Sequence, residues 1–265
     1  MKFKFIDHSR TIVKISGPDK YNLLQGLITN DINKTNKQCI YTAMLTPVGK
    51  YLFDFFVYPV NDVLFIDINA SQKDDFLKKI QMYKLRSQVD IIDASDKFQI
   101  VISDEPLEEW SFLDPRNGYL GYRSLISTDA VINNHGLEVY ESLRISMAVP
   151  VADKELIQDK SIILECGLDE LNALDWDKGC YIGQELMART KHRGGINKRL
   201  FPVVFSGPTP EFMDPIISND KEVGKVRSTH RSLGIAMIRL EALKDDNLKV
   251  NGHLLTIRQP HETAS

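Results

Sequence analysis

Hydrophobic and polar positions alternate along the first hundred residues of the chain with a period of two. A run over residues 39–69 alternates in this way and is interrupted at 47–49 and 61–62, which predicts three strands joined by tight turns. Shorter alternating runs predict further strands at residues 11–16, 89–93 and 98–103.

Helical spacing of apolar residues separates these strands. Residues 19–28 and 70–85 repeat apolar positions every three or four residues, and Asp19 and Ser71 are the predicted N-caps. Mixed helices and largely antiparallel strands predict an α+β fold.

One polar position stands out within a predicted strand. The alternation places Leu52, Asp54, Phe56 and Tyr58 on a single face. A carboxylate among apolar neighbours is costly unless it is paired. Asp54 is therefore predicted to be either paired or functional.

The second half of the chain follows a different pattern. Residues 104–122 are rich in proline, glycine and acidic residues, which predicts a domain seam or a long functional loop. Helical spacing resumes at 136–149 and again at 163–174. Beyond residue 199, short strands separated by turn residues predict a small β-barrel or sandwich.

Composition narrows the possible functions. The chain has 265 residues and a net charge of −3, which gives no global attraction to nucleic acid or to anionic membranes. Three cysteines without paired spacing favour a reducing compartment over a disulfide framework. The first residues lack a signal-peptide pattern, and no apolar run approaches the roughly 18 residues of a membrane span. A cytoplasmic location without membrane contact is expected.

The most informative stretch is "DWDKGCYIGQELMART", residues 175–190. Gly179 and Gly183 bracket Cys180, and helical composition follows. Cys180 is expected just before or within the first turn of a helix, where the helix dipole and the charge of Lys178 favour a thiolate. The alternative is that Cys180 is a small buried side chain in a turn. The residues alone favour neither the reactive cysteine nor the buried one.

Positive charge is concentrated in and behind this stretch. Residues 178–199 contain six lysines and arginines and one acidic residue, Glu185. Gly194 and Gly195 would let the backbone approach a ligand closely. The anionic partner that this segment suggests is a polyglutamate tail, a phosphate or RNA. No P-loop, zinc-ligand spacing or Ser-His-Asp pattern is present, so no bound metal is predicted.

The string "KGCYIGQE" (178–185), followed by "ART", "HRG" and "KRL", closely resembles the signature of the YgfZ-type folate-binding proteins. These are relatives of the glycine-cleavage T-protein and include mitochondrial iron–sulfur assembly factors. Further segments resemble the family at residues 24–32, 44–58, 114–123 and 220–229.

The resemblance implies a three-lobed fold around a central channel. It places an N-terminal α+β lobe at 1–105, a second α+β lobe with the cysteine motif at 106–198, and a C-terminal β-barrel at 199–265, with the first two lobes free to interleave. A "GGxxDD"-like pattern of the T-protein falls on residues 49–54. Here Lys50 replaces a glycine, Phe53 replaces the first acidic residue, and Asp54 remains.

The resemblance also implies a set of site residues. Cys180 is the working thiol, and Lys178 lowers its pKa. Tyr140 and Arg144, one helical turn apart, would stack on a pterin and hold an anion. The residues expected to bind a folate cofactor are Asp54, Arg123, Tyr140, Arg144, Tyr181, Gln184, Glu185, Arg189 and Arg193, with Arg10 a weaker candidate.

The implied function is that of a folate-binding accessory protein for the assembly or repair of iron–sulfur proteins, including tRNA-modifying enzymes. Its expected cofactor is tetrahydrofolate or a derivative, and its partners are iron–sulfur client or assembly proteins. A tetrahydrofolate-dependent aminomethyltransferase is the first alternative, although the aspartate pattern is only partly kept. An RNA-binding protein is the second, and it is disfavoured because Tyr181 alone places an aromatic ring in the basic segment.

Overall fold

A computed structural model describes residues 2–107, 110–191 and 195–258. The chain divides into two compact units. The first unit comprises Met1–Leu137 and Asp169–Leu186, and the second comprises Glu138–Leu168 and Met187–Ser265. The chain thus leaves the first unit and returns to it before it completes the second.

The first unit contains a five-stranded antiparallel sheet in which the strands run in the order β3-β4-β5-β2-β6. The three strands predicted from the run at 39–69 are confirmed, and so are the turns between them. The strands are β2 (Arg10–Ser16), β3 (Ile40–Leu45), β4 (Tyr51–Val60), β5 (Val63–Asn69) and β6 (Asp90–Asp93).

One face of this sheet packs against two helices, α1 (Lys20–Gln25) and α2 (Lys73–Lys84). Phe76 and Ile80 of α2 are fully buried with Phe53 and Phe55 of β4 in a single hydrophobic cluster. Burial of this apolar surface, about 25 cal/mol per Å², stabilises the layer. The opposite face of the sheet carries the polar side chains described below.

A β-bulge in β4 corrects the predicted face of Leu52. The pairing of β3 with β4 shifts register between Met44 and Leu45, so that Leu45 pairs with Tyr51 while Met44 pairs with Phe53. The extra residue is Leu52, which joins the hydrophobic cluster instead of the face of Asp54. The bulge places Tyr51, rather than Leu52, on the side of Asp54.

Of the two predicted helix caps, Asp19 does occupy the N-cap position of α1 but forms no side-chain capping hydrogen bond, whereas Ser71 is not the N-cap of α2. The Asp19 side chain accepts a hydrogen bond from the backbone N–H of Gln88 and makes none to α1. The Ser71 hydroxyl donates to Asn69 within a 3₁₀ turn that precedes α2, and α2 begins only at Lys73. In both cases another backbone or side-chain partner competes for the polar group.

A second sheet of the first unit has four strands in the order β1-β7-β9-β8. The predicted strand at 98–103 is confirmed, but the segment at 104–122 is not wholly a loop, because Ser111–Leu113 pairs with the following strand. The strands are β1 (Lys4–Ile6), β7 (Phe98–Ser103), β8 (Ser111–Leu113) and β9 (Tyr122–Ser127).

The second unit starts at Glu138, the second residue of helix α3 (Leu137–Ser146), which is the helix predicted at 136–149. The helix predicted at 163–174 is wrong, since these residues form successive turns. Gly167 and Asn172 adopt φ values of +76° and +57°, which a continuous right-handed helix excludes.

The predicted C-terminal barrel is confirmed as a closed barrel of six antiparallel strands. Val226, Ala236 and Ile238 lie in its hydrophobic core. The pattern missed the two-residue strand β14 because so short an element leaves no periodicity. The strands are β10 (Lys198–Phe205), β11 (Pro215–Ser218), β12 (Lys221–His230), β13 (Leu233–Arg239), β14 (Lys249–Val250) and β15 (His253–Ile257).

Within the described ranges, none of the helices combines the length and the apolar character that a membrane crossing requires. The predicted division into lobes at residues 105 and 198 stays a prediction.

Candidate functional site

The cysteine motif forms a loop, residues 175–183, that is anchored to the first unit from its start. We call it the motif loop. The Asp175 carboxylate accepts hydrogen bonds from the backbone N–H groups of Asp177 and Lys178, at 2.8 and 3.2 Å. Its other oxygen lies 2.8 Å from Nζ of Lys34. Burial raises the pKa of Asp175, but hydrogen bonds from Lys34 and from these N–H groups outweigh this effect, and the net pKa is lowered.

Lys178 provides the second anchor. Its buried ammonium donates to three backbone carbonyls, those of Gln25 at 2.8 Å, Ile28 at 2.7 Å and Asn30 at 2.9 Å. These carbonyls lie at the end of α1 and in the turn that follows. Burial lowers the pKa of Lys178 to about 8. All three donors of the ammonium are therefore engaged with backbone, which gives Lys178 a positioning role in the structure.

Two glycines bring the motif loop against the β3–β4 turn. Gly183 and Gly49 adopt φ values of +85° and +78°. A Cβ on Gly183 would lie 2.6 Å from the carbonyl oxygen of Thr46 and 3.2 Å from Cα of Gly49. Backbone therefore touches backbone here, and a larger residue does not fit without displacement.

Cys180 is exposed, whereas Cys39 and Cys166 are buried. The exposed position agrees with a chemically accessible thiol and not with a small buried side chain. The predicted place at the helix start needs correction, because helix α4 (Gln184–Arg189) begins four residues later. The left-handed backbone of Gly183 separates Cys180 from the first turn, so the thiol lies outside that turn.

The neighbours of Cys180 in the motif differ in exposure. Tyr181 is buried, its ring lies 5.1 Å from Nζ of Lys178, and burial raises its pKa to about 12. Gln184 is half-buried, and Glu185 and Arg189 are exposed. Arg193 lies outside the described residues.

A buried polar network lies on the other face of the five-stranded sheet, within the first unit. Asp54 accepts hydrogen bonds from the hydroxyls of Tyr41 at 2.9 Å and Tyr51 at 2.7 Å. Burial, followed by the charge of Asp54, raises the pKa of both phenols well above the ordinary value. Asp54 is thus paired by two neutral donors, which is one of the two outcomes that the sequence allowed.

Arg123 occupies the same network. It donates to Asp67 at 2.7 Å, and Arg10 donates to the other oxygen of that carboxylate at 2.6 Å. Burial raises the pKa of Asp67, but the two guanidinium charges outweigh it and the net pKa is lowered. Asp67 was missed in the sequence, although it lies in an alternating strand among apolar residues, just as Asp54 does.

Three arginines of this network lie close to the aromatic ring of Phe56. The guanidinium carbons of Arg123, Arg116 and Arg10 lie 4.0, 4.8 and 5.5 Å from the ring centroid of Phe56. A single cation–π contact of this kind contributes on the order of 0.5–2 kcal/mol. Arg116 also forms a salt bridge with Asp114 at 2.8 Å. The acidic side chains of this network thus pair with its arginines and tyrosines.

Tyr140 and Arg144 belong to the second unit. Arg144 is buried, donates to the carbonyl oxygen of Val149 at 2.7 Å, and forms an ion pair with Glu141 at 3.0 Å. Burial lowers the pKa of Arg144, but Glu155 and Glu141 raise it, and the net pKa is raised. These contacts tie α3 to the segment behind it. Anion binding by Arg144 stays a prediction.

Among the residues that the structure describes, no group of three or more histidine, cysteine or acidic side chains is arranged to hold a metal ion. Cys180 can contribute one thiolate ligand. The folate-binding roles of Asp54, Arg123, Tyr140, Tyr181 and the residues of α4 stay predictions.

Comparisons with known proteins agree with this architecture. Residues 5–102 match the family model of the GCVT N-terminal domain, and residues 197–264 match that of the CAF17 C-terminal beta-barrel domain. The solved glycine cleavage system aminomethyltransferase T from Bartonella henselae superposes with a TM-score of 0.75 over 97% of this chain and 84% of that protein. The chain has the T-protein fold. At 10% sequence identity, this likeness shows the fold alone.

The similar curated proteins are named iron–sulfur cluster assembly factors. The mitochondrial IBA57 homolog of Pyricularia oryzae is 29% identical over 89% of this chain and 72% of its own length. The Dictyostelium discoideum homolog is 31% identical over 75% of this chain and 61% of its own. Human IBA57 is 28% identical over 89% of this chain and 77% of its own. The chain thus spans between about three fifths and three quarters of these relatives.

The expectation of a cytoplasmic location is wrong by this comparison. The relatives from Pyricularia, Dictyostelium, mouse and human are all named mitochondrial. The expectation rested on the cysteine pattern, on the composition of the first residues and on the lack of a long apolar run, and none of these specifies a compartment. Similarity to the YgfZ-type proteins in particular, as distinct from the IBA57 and CAF17 proteins, stays a prediction.

Proposed function

We propose that this chain is an accessory protein for the assembly or repair of iron–sulfur proteins, with Cys180 as its working thiol. The observation that carries the proposal is an exposed cysteine on a loop that is held by buried anchors. A thiol on a fixed loop keeps one orientation toward a partner. The names of the similar proteins support the same role.

The chemistry of the thiol fits this role. A deprotonated cysteine is a ligand for iron, and iron–sulfur clusters are generally held by several such ligands. Cys180 supplies one ligand, so a cluster bound there takes its remaining ligands from a client or carrier protein. The cluster is then cargo that passes between proteins.

Folate binding is the finer part of the proposal. The GCVT domain match and the T-protein fold support a tetrahydrofolate derivative as the ligand. Tetrahydrofolate should therefore raise the melting temperature of the purified chain, because a ligand that binds only the folded state stabilises it. An equal rise with RNA would favour the RNA-binding alternative, and that effect should weaken steeply with salt.

The aminomethyltransferase alternative depends on Asp54. In the structure both carboxylate oxygens of Asp54 accept phenol hydrogen bonds, at 2.9 and 2.7 Å. Buried hydrogen-bonded carboxylates commonly have a structural role, and this geometry supports that role for Asp54. The alternative predicts turnover of an aminomethyl donor that survives Cys180→Ser and is lost in Asp54→Asn.

A rescue assay tests the proposal. Cells that lack their own homologue receive the wild-type chain, Cys180→Ser or the control Cys166→Ser, and the tRNA methylthiotransferase product is measured. Wild type and the control should restore the product, whereas Cys180→Ser should not. Equal rescue by all three chains would show that the Cys180 thiol is dispensable and would contradict the proposal. Equal amounts of soluble protein must be confirmed by immunoblot.

A further inference from the structure

The second unit contains a group of buried polar atoms that lack hydrogen-bond partners. Among the described residues, the buried side-chain atoms without such a partner are Glu155 Oε1, Arg227 Nε, Ser228 Oγ and His230 Nε2. Three of them belong to strand β12, and His230 Nε2 lies 3.4 Å from the exposed carboxylate of Glu138 without a hydrogen bond. An unsatisfied buried polar atom costs about 1–3 kcal/mol. Three of the four lie within four consecutive residues of one strand, and such a group of unsatisfied buried atoms points to a ligand as the missing hydrogen-bond partner.

A β-bulge turns this part of β12 away from the barrel core. Val226 pairs with Ala236, and both lie in the core. The register then shifts, so that Ser228 pairs with Ile235 and Arg227 is the extra residue. Since neighbouring residues of a strand point to opposite faces, Ile235 and its partner Ser228 face outward. The bulge also projects Arg227 from the ladder.

His230 lies two residues beyond Ser228 and therefore on the same outer face, about 7 Å along the strand. Arg227 lies within electrostatic range of Glu155 and Cys166, which are outside the barrel strands. The guanidinium of Arg227 therefore projects to the outer side as well. The bulge thus collects three hydrogen-bond donors on the outer side of β12, where Ser228 is buried and Arg227 and His230 are half-buried.

Arg227 has the character of an anion-binding cation. Its Nη1 contacts Sδ of Met213 at 2.9 Å, which is a weak acceptor. No carboxylate in the described part of the chain lies within ion-pair distance of it. Burial lowers the pKa of Arg227, which reflects the cost of desolvating an incompletely paired charge. An oxyanion would satisfy the guanidinium of Arg227 with short, charge-assisted hydrogen bonds.

Glu155 restricts which oxyanion fits. Glu155 is 1% exposed, and its Oε2 accepts a hydrogen bond from the backbone N–H of Val151 at 3.0 Å. Oε1 lies 3.5 Å from Nη1 of Arg144 without a hydrogen bond. An acceptor beside an anion repels it unless the ligand contributes a proton. The ligand must therefore donate as well as accept.

We propose that the outer face of β12, at Arg227, Ser228 and His230, binds a small oxyanion that carries its own hydroxyl donor. Hydrogen phosphate and a small hydroxycarboxylate share this chemistry. Sulfate has the same shape as phosphate but carries no proton at neutral pH, so it lacks the donor for Glu155. The site lies in the second unit and does not involve Cys180, so its test is independent of the proposed function.

The test uses the whole chain with four probes: inorganic phosphate, malate, sulfate and acetate. Binding is measured by calorimetry and by melting temperature at constant ionic strength. Phosphate or malate should bind, and the one that binds more tightly identifies the ligand class. Sulfate and acetate should bind at least about tenfold more weakly, the equivalent of one lost hydrogen bond to a charged group.

Two variants and one control locate the site, and a third variant tests the proton of the ligand. Arg227→Gln and Ser228→Ala should each weaken binding about tenfold, whereas Arg239→Gln, an exposed arginine of β13, should not change it. Glu155→Gln should remove the preference for phosphate over sulfate, because an amide supplies the donor that sulfate lacks.

Ser228→Ala removes only a hydroxyl without a partner, so its fold should be intact by circular dichroism even if Arg227→Gln is not. Three results would overturn the proposal: no binding of phosphate or malate at millimolar concentration, equal binding of phosphate and sulfate, or binding that Ser228→Ala leaves unchanged.

Discussion

Replacement of Gly183 by alanine should displace the motif loop. Gly183 has a φ of +85°, which L-residues with a side chain adopt only at a cost. A Cβ there would also lie 2.6 Å from the carbonyl oxygen of Thr46 and 2.8 Å from Cβ of Leu45. Both contacts are with a β-strand and its turn, which cannot move aside as the end of a flexible side chain can.

The magnitude follows from two separate costs. Left-handed backbone costs an alanine roughly 1–2 kcal/mol, and overpacking costs typically 1–3 kcal/mol. Gly183→Ala should therefore lower the free energy of unfolding by about 3 kcal/mol. Gly252 has a φ of +80°, but a Cβ on it would meet no atom within 4 Å, so Gly252→Ala isolates the first cost. Gly179 has neither feature, and Gly179→Ala should be neutral or slightly stabilising.

Urea unfolding of the three variants, followed by tryptophan fluorescence and circular dichroism, measures these differences. The accessibility of Cys180 provides a second readout, from the rate of thiol alkylation under native conditions. Gly183→Ala should change this rate because its cost is relieved by movement of the motif loop, whereas Gly252→Ala should leave it unchanged. If Gly183→Ala is no more destabilising than Gly252→Ala, the close packing of the loop against the β3–β4 turn is refuted.

Three further outcomes follow from the buried charges. The pKa of Lys178 is about 8 in the folded chain and 10.5 ordinarily, so the unfolded chain binds this proton more tightly. The free energy of unfolding of the wild type should therefore rise between pH 8 and 10.5. Lys178→Met should not show this rise when the urea midpoints are measured across the same pH range. The lowered pKa of Asp67 stabilises the fold above pH 3.8, and this stability is lost as the pH falls toward the folded-state pKa. Asp67→Asn should therefore be less stable than wild type at neutral pH. The difference in melting temperature between the two proteins should shrink when melting curves are recorded at increasingly acid pH. In Asp54→Asn, an amide donor replaces one of the two carboxylate oxygens that accept hydrogen bonds from buried tyrosine hydroxyls. The free energy of unfolding, measured by thermal denaturation, should fall by about 1–3 kcal/mol. The exposed control Asp62→Asn should lower it much less.

Local patterns were sufficient for most strands but not for the faces they present. The strands at 40–45, 51–60 and 63–69 follow from alternation and from the turn residues between them. The face of Leu52 does not follow, because one extra residue inverts the parity of a strand and leaves no trace in composition. The same holds for the bulge at Arg227.

Long-range partners explain the remaining differences. The helix expected at 163–174 has suitable apolar spacing, but Gly167 and Asn172 adopt left-handed conformations, and the amide of Asn172 donates to the carbonyl of Pro115. Cys180 could be selected from its motif, yet its exposure and its anchors could not. The carbonyl partners of Lys178 lie about 150 residues earlier in the chain, beyond any local pattern.

The return of the chain to the first unit has a consequence for synthesis on the ribosome. Residues 169–186 complete the first unit, but they are made only after residues 138–168 of the second. Until Lys178 has emerged, the carbonyls of Gln25, Ile28 and Asn30 lack their ammonium donor, and the hydroxyl of Thr29 lacks the carbonyl of Ala173. The first unit is therefore complete only after the motif loop has been made, so the thiol takes its position in the same step that supplies these last hydrogen bonds.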